Sequence, residues 1–255
     1  LKPHFAALQA DYVLSLFPSQ HPQQAELRDM LESFAKASPR LKVLEQGPSV
    51  AGLQFDLLRQ SAPTGVRFRG IPGGHEFTSL VLAILNADGK GKLPDDATRA
   101  RIARLNGPVE VVTYVSLSCT NCPDVVQALN QIALIHGDMR HTMVDGGLVP
   151  EEVSRRGIQA VPAVFAGDKL LHVGKSSLAE LLDALEDHFG SRRPEDETGG
   201  SEASLPPSTH YDVVVLGGGP AGASAAIYSA RKGLKTALVA QRVGGQVQET
   251  LGIEN

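Results

Sequence analysis

Residues 109–128 read VEVVTYVSLSCTNCPDVVQA, and the fold turns on how this stretch is understood. Val109 to Leu117 is rich in β-branched and aromatic residues and predicts a strand. After it come Cys119-Thr120-Asn121-Cys122, and then a run to about His136 whose apolar residues recur at helical spacing. A strand that ends in C-x-x-C at the start of a helix is an arrangement suited to thiol–disulfide exchange. Positions i and i+3 on a first helical turn stand about 5–6 Å apart, within the Cα separation that a disulfide tolerates. Cys119 then sits at the helix N-terminus, where free N–H groups and the macrodipole favour a thiolate, and Cys122 lies inside the helix as the shielded resolving thiol. Pro123 falls in the first turn, where its missing N–H costs nothing. The macrodipole contributes only about 0.3–1 kcal/mol against about 1.36 kcal/mol per pKa unit. Thr120 and Asn121 add no charge. The expectation is therefore a reducing dithiol and not a strong oxidant.

These two are the only cysteines, and a staple closing so short a loop would stabilise little, so the pair reads as chemical. A metal reading competes with it. Cys119, Cys122, His136 and His141 give C-x2-C-x13-H-x4-H, close to a zinc-finger spacing. The context opposes it, because a finger sets its Cys pair on a hairpin and both His on one helix, whereas Gly137 separates these two His.

Moving outward, the chain continues with a strand over Met139 to Asp145, a short helix near Glu151, strands at Ala163 to Phe165 and Leu170 to Val173, and a helix over Ser177 to Phe189. The first hundred residues show a similar order. A short N-terminal helix precedes a strand over Asp11 to Phe17, a helix over Gln23 to Ala37 opened by Pro22, and strands at Leu41 to Glu45, Leu53 to Leu58 and Val66 to Arg69. A Gly-rich turn then leads to a helix from about His75 to Ala87. The shared order suggests a tandem repeat, although two unrelated α/β domains of this size can also share it.

Residues 191–210 (SRRPEDETGGSEASLPPSTH) are charged and rich in Gly, Ser and Pro, and read as an interdomain linker. Beyond them YDVVVLG (211–217) runs into Gly217-x-Gly219-x-x-Gly222, with Pro220 and Ala221 between the last two glycines, inside a β-α-β pattern. The first glycine permits the turn, the second lets the backbone approach a pyrophosphate, and the third admits close helix–strand packing. The second strand, Thr236 to Ala240, is followed by Gln241 where an acid would bind ribose hydroxyls. These glycines leave the identity of the nucleotide open. The division expected is 1–106, 107–190, a linker over 191–210, and a truncated nucleotide-binding domain over 211–255.

With 255 residues, 42% of them apolar, the chain has room for two or three small cores. The formal net charge of −4, with both signs interleaved, argues against nucleic acid as a partner. No apolar run reaches the length that spans a bilayer, and there is no charged-then-apolar leader, so a cytoplasmic location with no membrane association is expected. The chain begins without Met and stops at Asn255 inside a nucleotide-binding pattern, which reads as a fragment.

YVSLSCTNCPDVVQA (114–128), VDGG (144–147), VPAVF (161–165) and GHEFTSL (74–80) together resemble the N-terminal region of the flavoprotein subunit of alkyl hydroperoxide reductase. The resemblance runs along the whole chain. It implies two tandem thioredoxin-like folds, only the second with the dithiol, then a linker and the first β-α-β of a Rossmann-like FAD domain. Ser19-Gln20-His21 stands in the first repeat where the second has its Cys pair. The resemblance further implies that electrons pass from NAD(P)H through FAD to Cys119/Cys122 and on to a peroxiredoxin, in a protein that is a homodimer at full length and whose nicotinamide domain is absent here. It makes a cis Pro162 beside the dithiol the expectation, and makes Glu76 a carboxylate that moves protons or tunes Cys119; otherwise Glu76 is a solvated acid in a helix's first turn. Gly244, Gly245, Gln246 and Asn255 resemble flavin-contacting segments, so FAD is preferred to NAD, with poor retention expected in so short a piece. A general protein-disulfide reductase and a zinc-dependent binding module are the alternatives.

Overall fold

The computed structural model describes residues 2–192 and 210–243. The chain forms two compact units, Leu1–Glu197 and Thr198–Asn255, and each is described by itself.

The first unit opens with α1 (Lys2–Phe5) and then β1 (Tyr12–Leu16), whose Tyr12, Leu14 and Leu16 are fully buried. Such a run suits a central strand, and β1 pairs on both sides: parallel with β2 (Leu41–Glu45) and antiparallel with β3 (Phe55–Arg59). Between β1 and β2 lies α2 (Gln24–Ala35), which buries Leu27, Leu31 and Phe34. β3 turns into β4 (Ala62–Arg69) through Gln60 and Ser61, at φ 49° and 69°, the two positive values that a tight hairpin matching strand twist requires. A 3-10 turn over Gly74–Glu76 leads into α3 (Phe77–Ala87).

The same pairings then recur. β5 (Val109–Val115) runs parallel to β6 (Met139–Asp145) and antiparallel to β7 (Ala163–Ala166), which forms a hairpin with β8 (Lys169–Val173). The helices of this half are α5 (Cys122–His136), α6 (Pro150–Arg155) and α7 (Leu178–Phe189). α5 stops at Gly137, whose φ of +78° is the left-handed conformation that ends a helix. α7 begins with a complete capping box between Ser177 and Glu180. β1, β2, β3 and β4 thus correspond to β5, β6, β7 and β8 in direction as well as in order, which removes the ambiguity that order alone left.

The halves are joined edge to edge. β4 pairs in parallel with β6, giving one eight-stranded sheet in the order β2-β1-β3-β4-β6-β5-β7-β8. At this seam Gly65 has φ +82°, and a Cβ there would stand 2.1 Å from the Met139 carbonyl oxygen. The apolar core is not divided at the midpoint either: Val115, Cys122, Val126 and Met143 of the second half share one cluster with Phe55, Phe68, Leu80, Ala83 and Ile84 of the first.

Two elements differ from expectation. α4 (Asp96–Ala103) has no counterpart in the sequence pattern, because Ile102 is its only buried residue and no apolar stripe marks it. It is held by the Asp95 side chain, which accepts from the Thr98 N–H at 2.7 Å, and by Arg101, which reaches Asp183 and Glu186 on α7. α5 begins at Cys122 and not at Cys119, so the first cysteine stands in the loop ahead of the helix.

The second unit consists of β9 (Val213–Gly218), α8 (Pro220–Arg231) and β10 (Thr236–Val243), with the two strands parallel. The linker expected over 191–210 lies outside the described residues except for Ser191, Arg192 and His210. Among the described residues no helix is long and apolar enough to cross a membrane.

Candidate active site

Cys119 and Cys122 are joined as a disulfide across a Cα separation of 5.5 Å. Their environments are unequal. Cys122 is fully buried as the first residue of α5, whereas Cys119 is half-buried in the loop that leaves β5. The N–H of Cys122 donates to Cys119 Sγ at 3.1 Å, so an amide from the first turn of α5 points at the outer sulfur. The N-terminal placement expected of Cys119 survives in this form: the residue lies outside the helix and its sulfur lies at the helix mouth. The amide and the first turn of α5 thus face Cys119 Sγ, while Cys122 is enclosed in apolar surroundings.

The walls of the site come from three segments. Val161 places its carbonyl oxygen 3.8 Å from Cys119 Sγ, and the bond from Val161 to Pro162 is cis. The turn before α3 closes over the cysteine loop: the N–H of His75 donates to the Leu117 carbonyl at 3.2 Å, and a Cβ at Gly74 would lie only 2.5 Å from that same oxygen. Asp145 ends β6 next to Val115 and turns inward to accept from the Gly147 N–H at 3.0 Å, and burial raises its pKa.

Glu76 arrives with that turn. It is 0% exposed, and neither carboxylate oxygen has a hydrogen-bond partner. Burial pushes its pKa up to about 7, with the Ser79 hydroxyl acting in the opposite direction. The reading of Glu76 as a solvated acid is therefore overturned by its burial. Cys119, Cys122, Pro162 and the segment bearing Glu76 meet in one place. Ser79 is a residue that the sequence pattern does not single out. It is buried on the next turn of α3 from Glu76, its oxygen lies 3.5 Å from Gln127 Nε2, and its three-residue spacing from Glu76 is the one signal that could have found it.

The zinc reading loses its geometry. His136 is in the last turn of α5, about 20 Å along the helix from Cys122, and its Nε2 lies 2.8 Å from the Leu105 carbonyl oxygen. His141 is fully buried on β6, with Nε2 2.8 Å from Thr113 Oγ1 and Nδ1 2.7 Å from Asn130 Oδ1. Desolvation holds its pKa far down, at about 3, so it is a neutral core histidine.

In the second unit the glycines behave as the motif requires. Gly217 takes φ +109°, and a Cβ on Gly222 would meet the Gly217 carbonyl oxygen at 1.9 Å. A Cβ on Gly219, which caps α8, would meet nothing, leaving the open approach a pyrophosphate needs. Pro220 and Ala221 open the helix. These residues fit a dinucleotide. The side chain of Gln241, and Gly244, Gly245, Gln246 and Asn255 altogether, lie outside the described residues.

Residues 109–186 match the family described as Thioredoxin domain, and residues 212–253 match FAD dependent oxidoreductase. The F subunit of alkyl hydroperoxide reductase from Pseudomonas putida is 43% identical over 90% of this chain and 43% of its own length. The chain is similar to F subunits of alkyl hydroperoxide reductase. A Bacillus subtilis relative named NADH dehydrogenase is 38% identical over all of this chain and 48% of itself. Among solved structures, the NTD_N/C domain of alkylhydroperoxide reductase AhpF from Enterococcus faecalis superposes with a TM-score of 0.66 at 28% identity, over 72% of this chain and 95% of that one. The chain thus spans under half the length of the curated relatives named here. The Cys119/Cys122 pair lies in the part of the chain that matches a thioredoxin domain, and the C-terminal unit lies in the part that matches an FAD dependent oxidoreductase.

Proposed function

We propose that this chain is the carrier module of a peroxide-reducing flavoprotein, taking electrons that originate from NAD(P)H through FAD and delivering them from Cys119/Cys122 to a peroxiredoxin disulfide. The observation that carries this is the asymmetry of the pair: one sulfur at the surface with a helix amide aimed at it, the other sealed in the core. In the forward step the Cys119 thiolate attacks one sulfur of the partner disulfide. The partner's S–S bond breaks, a mixed disulfide forms, and the displaced partner sulfur takes up a proton. Cys122 then loses its proton and attacks Cys119 Sγ, which releases the second partner thiol and closes Cys119–Cys122. Two electrons have passed to the partner, whose two thiols take one proton originating from Cys122 and one from solvent.

Glu76 is proposed as the group that handles the Cys122 proton, since a carboxyl near pKa 7 is divided between both forms at neutral pH. Pro162, together with the Val161 carbonyl, is proposed to shape the surface that receives the partner. Gly217, Gly219 and Gly222, with Pro220 and Ala221, would hold the pyrophosphate of FAD, whose bound flavin would supply hydride acceptance from the nicotinamide. Gln241, Gly244, Gly245, Gln246 and Asn255 are proposed as further contacts. Leu216, Val239 and Tyr228, all more than half exposed, support completion of this unit by additional chain, and a cytoplasmic, dimeric full-length protein is part of the same reading. We propose the divisions 1–106, 107–190, 191–210 and 211–255 as sequence segments. The two thioredoxin-like segments share the sheet and part of the core.

The test is trapping. Cys122→Ser should accumulate a mixed disulfide between Cys119 and a peroxiredoxin, while Cys119→Ser should form none. Accumulation through Cys122 in the Cys119→Ser protein would reverse the roles. Equal turnover with peroxiredoxin and with unrelated disulfides would instead favour a general reductase.

A further inference from the structure

The half without cysteines crosses the end of the sheet where the dithiol sits, and it does so through backbone contacts that leave no room for a side chain. β4 pairs with β6 as far as Arg69 and Val144, and the segment from Gly70 to Glu76 then runs over the ends of two strands of the second half. At Gly70 (φ +142°) a Cβ would stand 2.8 Å from the Asp145 Cβ at the end of β6, and at Gly74 (φ +53°) one would stand 2.5 Å from the Leu117 carbonyl oxygen just beyond β5. The His75 N–H donates to that same oxygen at 3.2 Å. Ile71, between the two glycines, packs on the same apolar cluster as Cys119 and Val161.

Leu117 lies shortly before Cys119, in the stretch 116–121 that joins β5 to α5. Within that stretch the Cys119 N–H donates to the Ser116 carbonyl at 2.9 Å, and the hydroxyls of Ser116 and Ser118 lie 3.0 Å apart. These bonds shape the turn from within, whereas the bond from His75 ties its backbone to the other half. While Cys119 and Cys122 are joined, the covalent bond already holds the turn against the start of α5. Once the pair is reduced that tether is gone, and the outer sulfur stays beside the Cys122 N–H only so far as the backbone of 116–121 is held from elsewhere. Two thiols kept in reach of one another close into a disulfide more readily than two that drift apart, because the entropy of bringing them together has already been given up.

We propose that Gly74 is a positioning residue for Cys119: by leaving room for the His75 N–H to reach Leu117, it lets the half without cysteines hold the outer thiol in reach of Cys122 when the pair is reduced. This rests on the reading of Cys119 and Cys122 as an exchanging dithiol, and it deepens that reading by naming what keeps the two sulfurs together between turnovers.

The test is the equilibrium of the full chain with glutathione, in which the dithiol passes two electrons and two protons to oxidised glutathione, closes to the disulfide and releases two molecules of reduced glutathione. Gly74→Ala should lower that equilibrium constant about tenfold, equivalent to a reduction potential about 30 mV less negative. Gly74→Asn should lower it as much, since Asn accepts the left-handed conformation yet carries the same Cβ. Gly89→Ala, at the other end of α3, has φ +71° and nothing within 4 Å of the added Cβ. It carries the backbone cost without the contact, and its constant should stay within about twofold of the parent value. A parent-like constant in either Gly74 variant overturns the proposal, and so does an equal fall in Gly89→Ala. Hydrogen exchange on the unaltered chain decides the matter where a variant does not fold. The His75 amide should be protected in the disulfide and dithiol forms alike, and an amide that exchanges freely once the pair is reduced overturns the proposal. The two readings fail separately. A chain that passes no electrons to a peroxiredoxin disulfide ends the carrier reading and leaves the glutathione equilibrium to be measured.

Discussion

At the scale of single residues the most consequential choice is a buried acid with no partner for either oxygen. Its cost depends on pH, and the sign follows from its position. In the unfolded chain Glu76 ionises near its ordinary 4.5, whereas in the folded chain it does so at about 7. Between those values the unfolded state loses its proton first, so the stability that the protonated carboxyl allows is complete below pH 4.5 and is lost as pH rises through 7. The loss amounts to about 3 kcal/mol by pH 8. Glu76→Gln should remove this slope, because an amide does not titrate. Urea unfolding at intervals from pH 4.5 to 8 checks it, with the slope and not the absolute value as readout, since a buried amide brings its own unmet hydrogen bonds. A parent protein equally stable at both ends of that range would contradict the assignment.

At the scale of elements the seam between the halves depends on the absence of a side chain. Gly65 combines φ +82° with a carbonyl oxygen where its Cβ would go, and neither the Met139 backbone nor β4 can retreat without opening the parallel pairing of Val66 to Arg69 with His141 to Val144. Gly65→Ala should therefore destabilise the protein by more than about 2 kcal/mol, seen as a lower urea midpoint, with amide exchange accelerated in β4 and β6 before the other strands. The strands themselves were legible in the sequence: β2 and β6 fall where the apolar pattern put them, because each is a short run between turn residues. The parallel pairing of β4 with β6 was not legible, since it joins residues some 75 positions apart and nothing local encodes it. α4 escaped notice because one buried residue makes no period. In the site, the cysteines declare themselves by spacing and chemistry. The setting of Glu76 depends on the way the turn before α3 closes over Leu117, a contact between halves, and Ser79 looks like any helical serine until that closure is known.

At the scale of the whole molecule the repeat that lacks a dithiol still encloses the one that has it. Cys122 lies in the same apolar cluster as Phe68, Leu80, Ala83 and Ile84, all of the first half, so the shielding that makes it a resolving thiol is supplied from both sides of the seam. This couples redox selectivity to packing at positions that never meet a substrate. Leu80→Ala, about forty residues before the dithiol in the chain, should cost about 2–5 kcal/mol through the cavity it leaves. In the reduced protein it should also raise the rate at which Cys122 reacts with iodoacetamide, while Cys119, already at the surface, changes little. The contrast comes from Leu182→Ala, which is equally buried but in the separate cluster that α7 shares with the far side of α5. That substitution should lower stability by a similar amount and leave Cys122 as slow as in the parent. Peptide mapping of both cysteines after timed alkylation below the unfolding midpoint separates the outcomes. If both variants expose Cys122 alike, its reactivity follows global opening and the first repeat shields nothing in particular. If only Leu80→Ala does, the unpaired repeat is part of the redox site.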